Sequence, residues 1–128
     1  KGMQPDIQKL AAQLARLKKV KAVYLFGSAA KKEAGPLSDI DICVIAPHLS
    51  EEEKSALLSY SSEKVDLVIF NDLPLSLQAR IFREGKPLAI RDQDYVDNLF
   101  WRTLKEYFDF KPVLKRFLEA YLPGVHYV

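Results

Sequence analysis

Apolar residues recur at helical spacing at the start of the chain. Ile7, Leu10, Ala11, Leu14 and Leu17 share one face, predicting an amphipathic helix over 5–19 with Pro5 and Asp6 in its first turn. Val20–Phe26 then reads as a β-rich run that stops at Gly27–Ser28. Residues 29–34 suit a short helix ended by Gly35–Pro36, and Ile40–Ala46 is a second strand closed by Pro47. Ser50 followed by Glu51, Glu52 and Glu53 has the form of a capped helix start, so a helix is expected over 50–62.

Val65–Phe70 is a third strand, with a turn at 71–74 and a helix over 75–84 stopped by Gly85. Lys86–Arg91 fits a short edge strand, because Pro87 cannot donate to a central ladder. From Asp94 a helical stripe runs through Val96, Leu99, Phe100, Leu104, Tyr107 and Phe108. Lys111–Pro112 should break it before Leu114, Phe117, Leu118, Tyr121 and Leu122 resume. Strands alternating with helices, without repeats or linkers, predict a single α/β domain over 1–128. Its C-terminal helical segment, 93–128, carries Phe100, Trp101, Tyr107, Phe108 and Phe110. That is more aromatic surface than a thin domain can bury, so part of it is read as core and part as a partner or dimer interface.

Composition narrows the function classes. With 19 Lys and Arg against 17 Asp and Glu, the net charge of +2 lacks the dense basic face of a nucleic-acid-gripping protein, and no direct nucleic-acid binding is expected. The lone Cys43 rules out an internal disulfide and a cysteine zinc site, and His48 and His126 lack ligand spacing. No stretch approaches a membrane span or a signal-peptide core, so the expected setting is a reducing cytoplasm. Met3 is read as the native start, with Lys1 and Gly2 as additions ahead of it.

The chemistry concentrates in Gly27–Ser28, ten residues, then Asp39-Ile40-Asp41 opening an apolar strand. Strand alternation puts Asp39 and Asp41 on one face, roughly 6.6 Å apart along the chain, while Ile40, Ile42 and Val44 serve the opposite face. Two carboxylates this close repel unless a cation is shared, and Mg²⁺ takes oxygen ligands together with waters and substrate phosphates. Asp66, set in Val65-Asp66-Leu67-Val68-Ile69, adds a third strand acid that calls for a partner. A strand ending in Gly27–Ser28 presents backbone N–H groups and a hydroxyl to phosphate oxygens, and Lys31 and Lys32 can neutralise a triphosphate. Phosphates cradled on one side and metal carboxylates on the other suit in-line phosphoryl or nucleotidyl transfer.

This pattern resembles the minimal nucleotidyltransferases of the DNA polymerase beta superfamily. The likeness extends from the leading helix to Ile81-Phe82-Arg83-Glu84-Gly85-Lys86-Pro87-Leu88. It implies a small mixed β-sheet with helices packed on it. It also implies that Gly27 and Ser28 hold the nucleotide phosphates, and that Asp39 and Asp41 hold Mg²⁺. Asp66 would complete the metal site or serve as the base for the attacking hydroxyl. The ten-residue spacing resembles the antitoxins paired with HEPN-domain ribonuclease toxins, which transfer AMP from ATP to a toxin tyrosine. ATP, a HEPN-type partner and a homo- or hetero-oligomer are therefore implied.

Family members often carry Arg two residues after the motif Ser, and here that position is Ala30. Two other readings stay open: nucleotidyl transfer to a small molecule such as an aminoglycoside, and a silent antitoxin that occludes its partner. Cys43, on the face of the aspartates, reads as packing. Lys18, Lys19 and Lys21 read as a solvated helix end, with a docking patch as the alternative.

Overall fold

The computed structural model describes residues 6–27, 40–108, 116 and 118–121. Helix α1 (Ile7–Ala15) leads into strand β1 (Ala22–Phe26), followed by β2 (Ile40–Ile45), α2 (Glu51–Leu58) and β3 (Val65–Ile69). A 3-10 turn (Phe70–Asp72), α3 (Leu75–Glu84), β4 (Lys86–Ile90) and α4 (Gln93–Tyr107) complete the order. The strands form one mixed sheet in the order β3-β2-β1-β4. β1 runs antiparallel to both β2 and β4, while β2 and β3 are parallel. A parallel pair needs a crossover, and α2 supplies it.

The sheet is covered on both faces, as expected for a central strand as apolar as Ile40–Ile45. Ile42, Val44, Val23, Val65, Leu67 and Ile69 pack under α1 and α2 through Ala11, Leu14 and Leu57. Ala22, Tyr24, Cys43 and Ile45 pack on the other face under α3 and α4, through Ile81, Val96 and Leu99. Burying one such aliphatic side chain stabilises by about 1.5–3 kcal/mol before entropy is counted. No helix among the described residues is long and apolar enough to cross a membrane.

Element types agree with the sequence pattern, and the differences lie at element ends. α1 spans Ile7–Ala15 rather than 5–19. Asp6 is its N-cap and not a first-turn residue, accepting from the Lys9 N–H at 3.0 Å. At the other end Arg91 donates to the carbonyls of Ala15 and Leu17 at 2.8 and 2.9 Å, satisfying helix-end acceptors. α2 ends at Leu58 instead of residue 62, because Ser59 Oγ donates back to the Ala56 carbonyl and Ser61 Oγ accepts from Leu67 N–H. Phe70 leaves the third strand for the 3-10 turn. β4 is an edge strand, and the register slips between Val23 and Tyr24, where Tyr24 faces Pro87. The expected helix over 29–34 and the Lys111–Pro112 break lie outside the described residues.

The α2 start is a full capping box: Glu53 N–H donates to Ser50 Oγ, and Ser50 N–H donates to Glu53 Oε1. Ser50→Ala is therefore expected to destabilise by about 1 kcal/mol, read as a lower Tm with unchanged helix content at 20 °C. The same Glu53 oxygen takes Lys19 Nζ at 2.8 Å. That bond, then the Ser50 N–H, holds the carboxyl below the usual carboxylate range. A depressed folded-state value means the stabilisation is present above the ordinary carboxylate range and disappears as pH falls through the lowered value. The Tm difference between wild type and Lys19→Met should accordingly be largest at neutral pH and shrink in acid, to the part owed to the Lys19 bond to the His48 carbonyl.

Lys21 lies 3.5 Å from Asp92 and over the Tyr95 ring, so two of the three clustered lysines have structural partners. The aromatic group divides as its size requires. Phe82, half-buried, stacks edgewise against Tyr24 and the half-buried Phe100, whereas Trp101 and Tyr107 are 43% and 40% exposed.

Candidate active site

Three chain segments meet at one end of the sheet: the exit of β1 and the entries of β2 and β3. In the ladders Phe26 faces Asp41 and Asp41 faces Asp66. Because directly paired residues point to the same side, the Asp41 and Asp66 carboxylates project together from strands about 4.8 Å apart. Alternation puts them on the side of Ala22, Tyr24, Phe26, Cys43 and Ile45. The fully apolar Ile40, Ile42 and Val44 take the other side. Asp41 is half-buried and Asp66 exposed.

Gly27 is the residue on which this corner turns. Its φ of +78° lies in the left-handed region that side chains disfavour. A Cβ here would overlap the Asp41 Oδ2 atom, so the carboxylate lies directly over the glycine. The chain can leave β1 and still admit the aspartate only because this position has no side chain.

Helix α3 closes the corner from above. Leu77, Arg80, Ile81 and Glu84, spaced three and four apart, line a cleft of about 200 Å³ with Phe26, Gly27 and Asp41. Gly85 ends the helix against β1, where a Cβ would press on the Ile81 carbonyl and approach that of Leu25. Arg80 Nε donates to Glu84 Oε1 at 3.2 Å, and Arg83 donates to Glu84 Oε2 at 3.1 Å.

Deeper along the same face Cys43 is fully buried, and desolvation pushes its thiol far above the usual range. It is an inert packing group, as its sequence context indicated. Tyr24 is likewise raised, by burial first and by the Asp97 charge second. The face is thus apolar and buried beneath the carboxylates.

The donor set suits a hard divalent cation. Asp41 and Asp66 offer oxygen acceptors from two adjacent strands on one face, a charge concentration that Mg²⁺ relieves. Of the sequence-predicted site residues, Gly27, Asp41 and Asp66 come together at this corner. Ser28, Lys31, Lys32 and Asp39 lie outside the described residues. Arg80 and Glu84 escaped the sequence reading. Their signal was a polar i, i+4 pair beside Leu77 and Ile81, but only the packing of α3 aims it at the carboxylates.

Comparison with known proteins shows the family. The profile of the family described as Polymerase beta, Nucleotidyltransferase matches residues 8–94, more than half of the chain. The candidate protein adenylyltransferase MJ1547 of Methanocaldococcus jannaschii is 30% identical over 95 residues, covering 70% of this chain and 76% of that protein. A crystal structure of a toxin–antitoxin with AMP-PNP superposes with a TM-score of 0.62 at 29% identity, over 88% of this chain and 93% of that one. The structure of a tri-AMPylated Shewanella oneidensis HEPN toxin in complex with its MNT antitoxin gives 0.57 at 26% identity, over 88% and 90%. From the glycine turn to the acid-bearing strands, this chain belongs to the polymerase beta nucleotidyltransferase family.

Proposed function

We propose that this chain is an antitoxin that transfers AMP from ATP, with Mg²⁺, to a tyrosine of a HEPN-type ribonuclease toxin and so neutralises it. The observation that carries the reading is the in-register pair Asp41–Asp66 beside the Gly27 turn. The names of its relatives, an adenylyltransferase and toxin–antitoxin assemblies, supply the reaction and the partner class.

Each residue then has a chemical task. Asp41, pinned over Gly27, and Asp66, with Asp39, hold the cation. When bound, Mg²⁺ offsets charge on the triphosphate and on the departing pyrophosphate. The Gly27–Ser28 turn offers N–H groups and a hydroxyl to the phosphates, with Lys31 and Lys32 neutralising them. The acceptor oxygen attacks the α-phosphorus, the bond from that phosphorus to the β-phosphate oxygen breaks, and pyrophosphate leaves with the electron pair. Asp66, the exposed member of the pair, accepts the hydroxyl proton as the acceptor arrives from solvent. The exposure of Trp101 and Tyr107 on α4 supports reading the 93–128 segment as a partner or dimer interface.

Label from α-³²P-ATP, and none from γ-³²P-ATP, should reach the toxin; γ-label on the toxin would mean phosphoryl transfer instead. Ala30, standing where an arginine is common, favours the second reading of an occluding binder. Neutralisation that persists without ATP would establish that one.

A further inference from the structure

The geometry points to Arg80 as the residue that takes the β- and γ-phosphates of the bound nucleotide, with Glu84 as the residue that positions it. This inference rests on the nucleotidyl-transfer reading and adds a substrate contact on α3 that lies outside the glycine–aspartate motif.

The cleft where a triphosphate would lie is walled by the Asp41 carboxylate, and α3 adds a second acid in Glu84. Among the described residues that line it, Arg80 is the one cation, and it stands on the wall that also meets Gly27. A triphosphate beside clustered aspartates needs positive charge at its far end as well as at its α-phosphate. The developing pyrophosphate increases that need.

An arginine meets it in a particular way. Its fork binds phosphate oxygens in pairs, and a guanidinium held at Nε still has two terminal amino groups to offer. The bond to Glu84 uses Nε, at 3.2 Å. Glu84 is itself held by Arg83 at 3.1 Å through its other oxygen, so the acid that orients Arg80 is anchored on both sides.

The plain alternative is a solvent ion pair. An exposed Arg→Glu pair at i, i+4 in this direction is worth only a few tenths of a kcal/mol. That is a weak reason to fix the guanidinium at the mouth of the cleft that holds Asp41. Recognition of phosphate explains both the place and the clamp.

The test is equilibrium binding of Mg·ATP and of AMP, without any protein acceptor, to wild type and to Arg80→Ala, Arg80→Lys and Arg83→Ala. Loss of one charge-assisted phosphate contact should weaken ATP binding by Arg80→Ala by roughly 10- to 100-fold. AMP, which lacks the β- and γ-phosphates, should change by less than about twofold. Arg80→Lys, which keeps the charge but loses the fork, should fall between, and Arg83→Ala, which releases one side of the Glu84 clamp, should weaken ATP binding by less than Arg80→Ala does and leave AMP binding unchanged. The inference is overturned if Arg80→Ala binds ATP like wild type, or loses ATP and AMP equally. Wild type that binds ATP through Arg80 but modifies no protein would sink only the antitoxin reading. Wild type that binds no ATP would sink both.

Discussion

Asp41→Asn is expected to lower the rate of AMP transfer by about 10³-fold, the loss that follows when several kcal/mol of metal-borne charge stabilisation disappears. Asparagine has the shape of aspartate, but it exchanges a charged oxygen for an amide N–H₂ that cannot ligate. Stability should move little, or slightly upward. Asp41 and Asp66 are directly paired across β2 and β3, and opposed like charges in a sheet cost about 0.2–1 kcal/mol. The informative comparison is thus a thermal melt beside a single-turnover assay. Loss of transfer with a Tm equal to or above that of wild type marks a functional carboxylate. A Tm that falls steeply together with the rate would mean that Asp41 serves the fold instead.

Gly27→Ala should damage both properties at once. An alanine at φ +78° costs about 1–2 kcal/mol in backbone terms alone, and its Cβ would meet the Asp41 carboxylate. The expected result is a Tm lower by several degrees. Transfer should be slower by about 10²-fold, because a displacement near 1 Å of a site group has that effect. The two causes separate in a double-mutant cycle. In an Asp41→Ala background the steric part of the Gly27→Ala penalty should vanish, and the backbone part should persist. Additive penalties would show that the carboxylate does not lie over the glycine.

Much of this corner follows from local sequence. Alternation in Asp39-Ile40-Asp41-Ile42 assigns faces without any tertiary knowledge, and Leu67 and Ile69 are buried on the face opposite Asp66 as their pattern required. Pro87 placed β4 at an edge, Ser50 with Glu53 started α2, and Gly85 stopped α3, each through backbone chemistry that acts over a few residues.

What escaped depends on long-range contacts. α1 stops short of residue 19, where Arg91 caps it from the far side of the sequence. The pairing of Asp41 with Asp66 is a matter of strand register, which the two runs of apolar residues permit but do not dictate. Arg80 and Glu84 form an ordinary polar pair on a helix until α3 packs over Gly27. The aromatic excess was visible, whereas its division into half-buried Phe82–Phe100 contacts and an exposed Trp101 required the packed helices.

The most direct test is the intact mass of a HEPN-type toxin, the proposed partner, after incubation with this chain, ATP and Mg²⁺, in parallel with Asp41→Asn. A gain of one or more AMP units is expected with wild type and none with the variant. An unchanged mass in a partner that still forms a stable, neutralised complex would contradict AMP transfer, leaving the three aspartates without a reaction to perform.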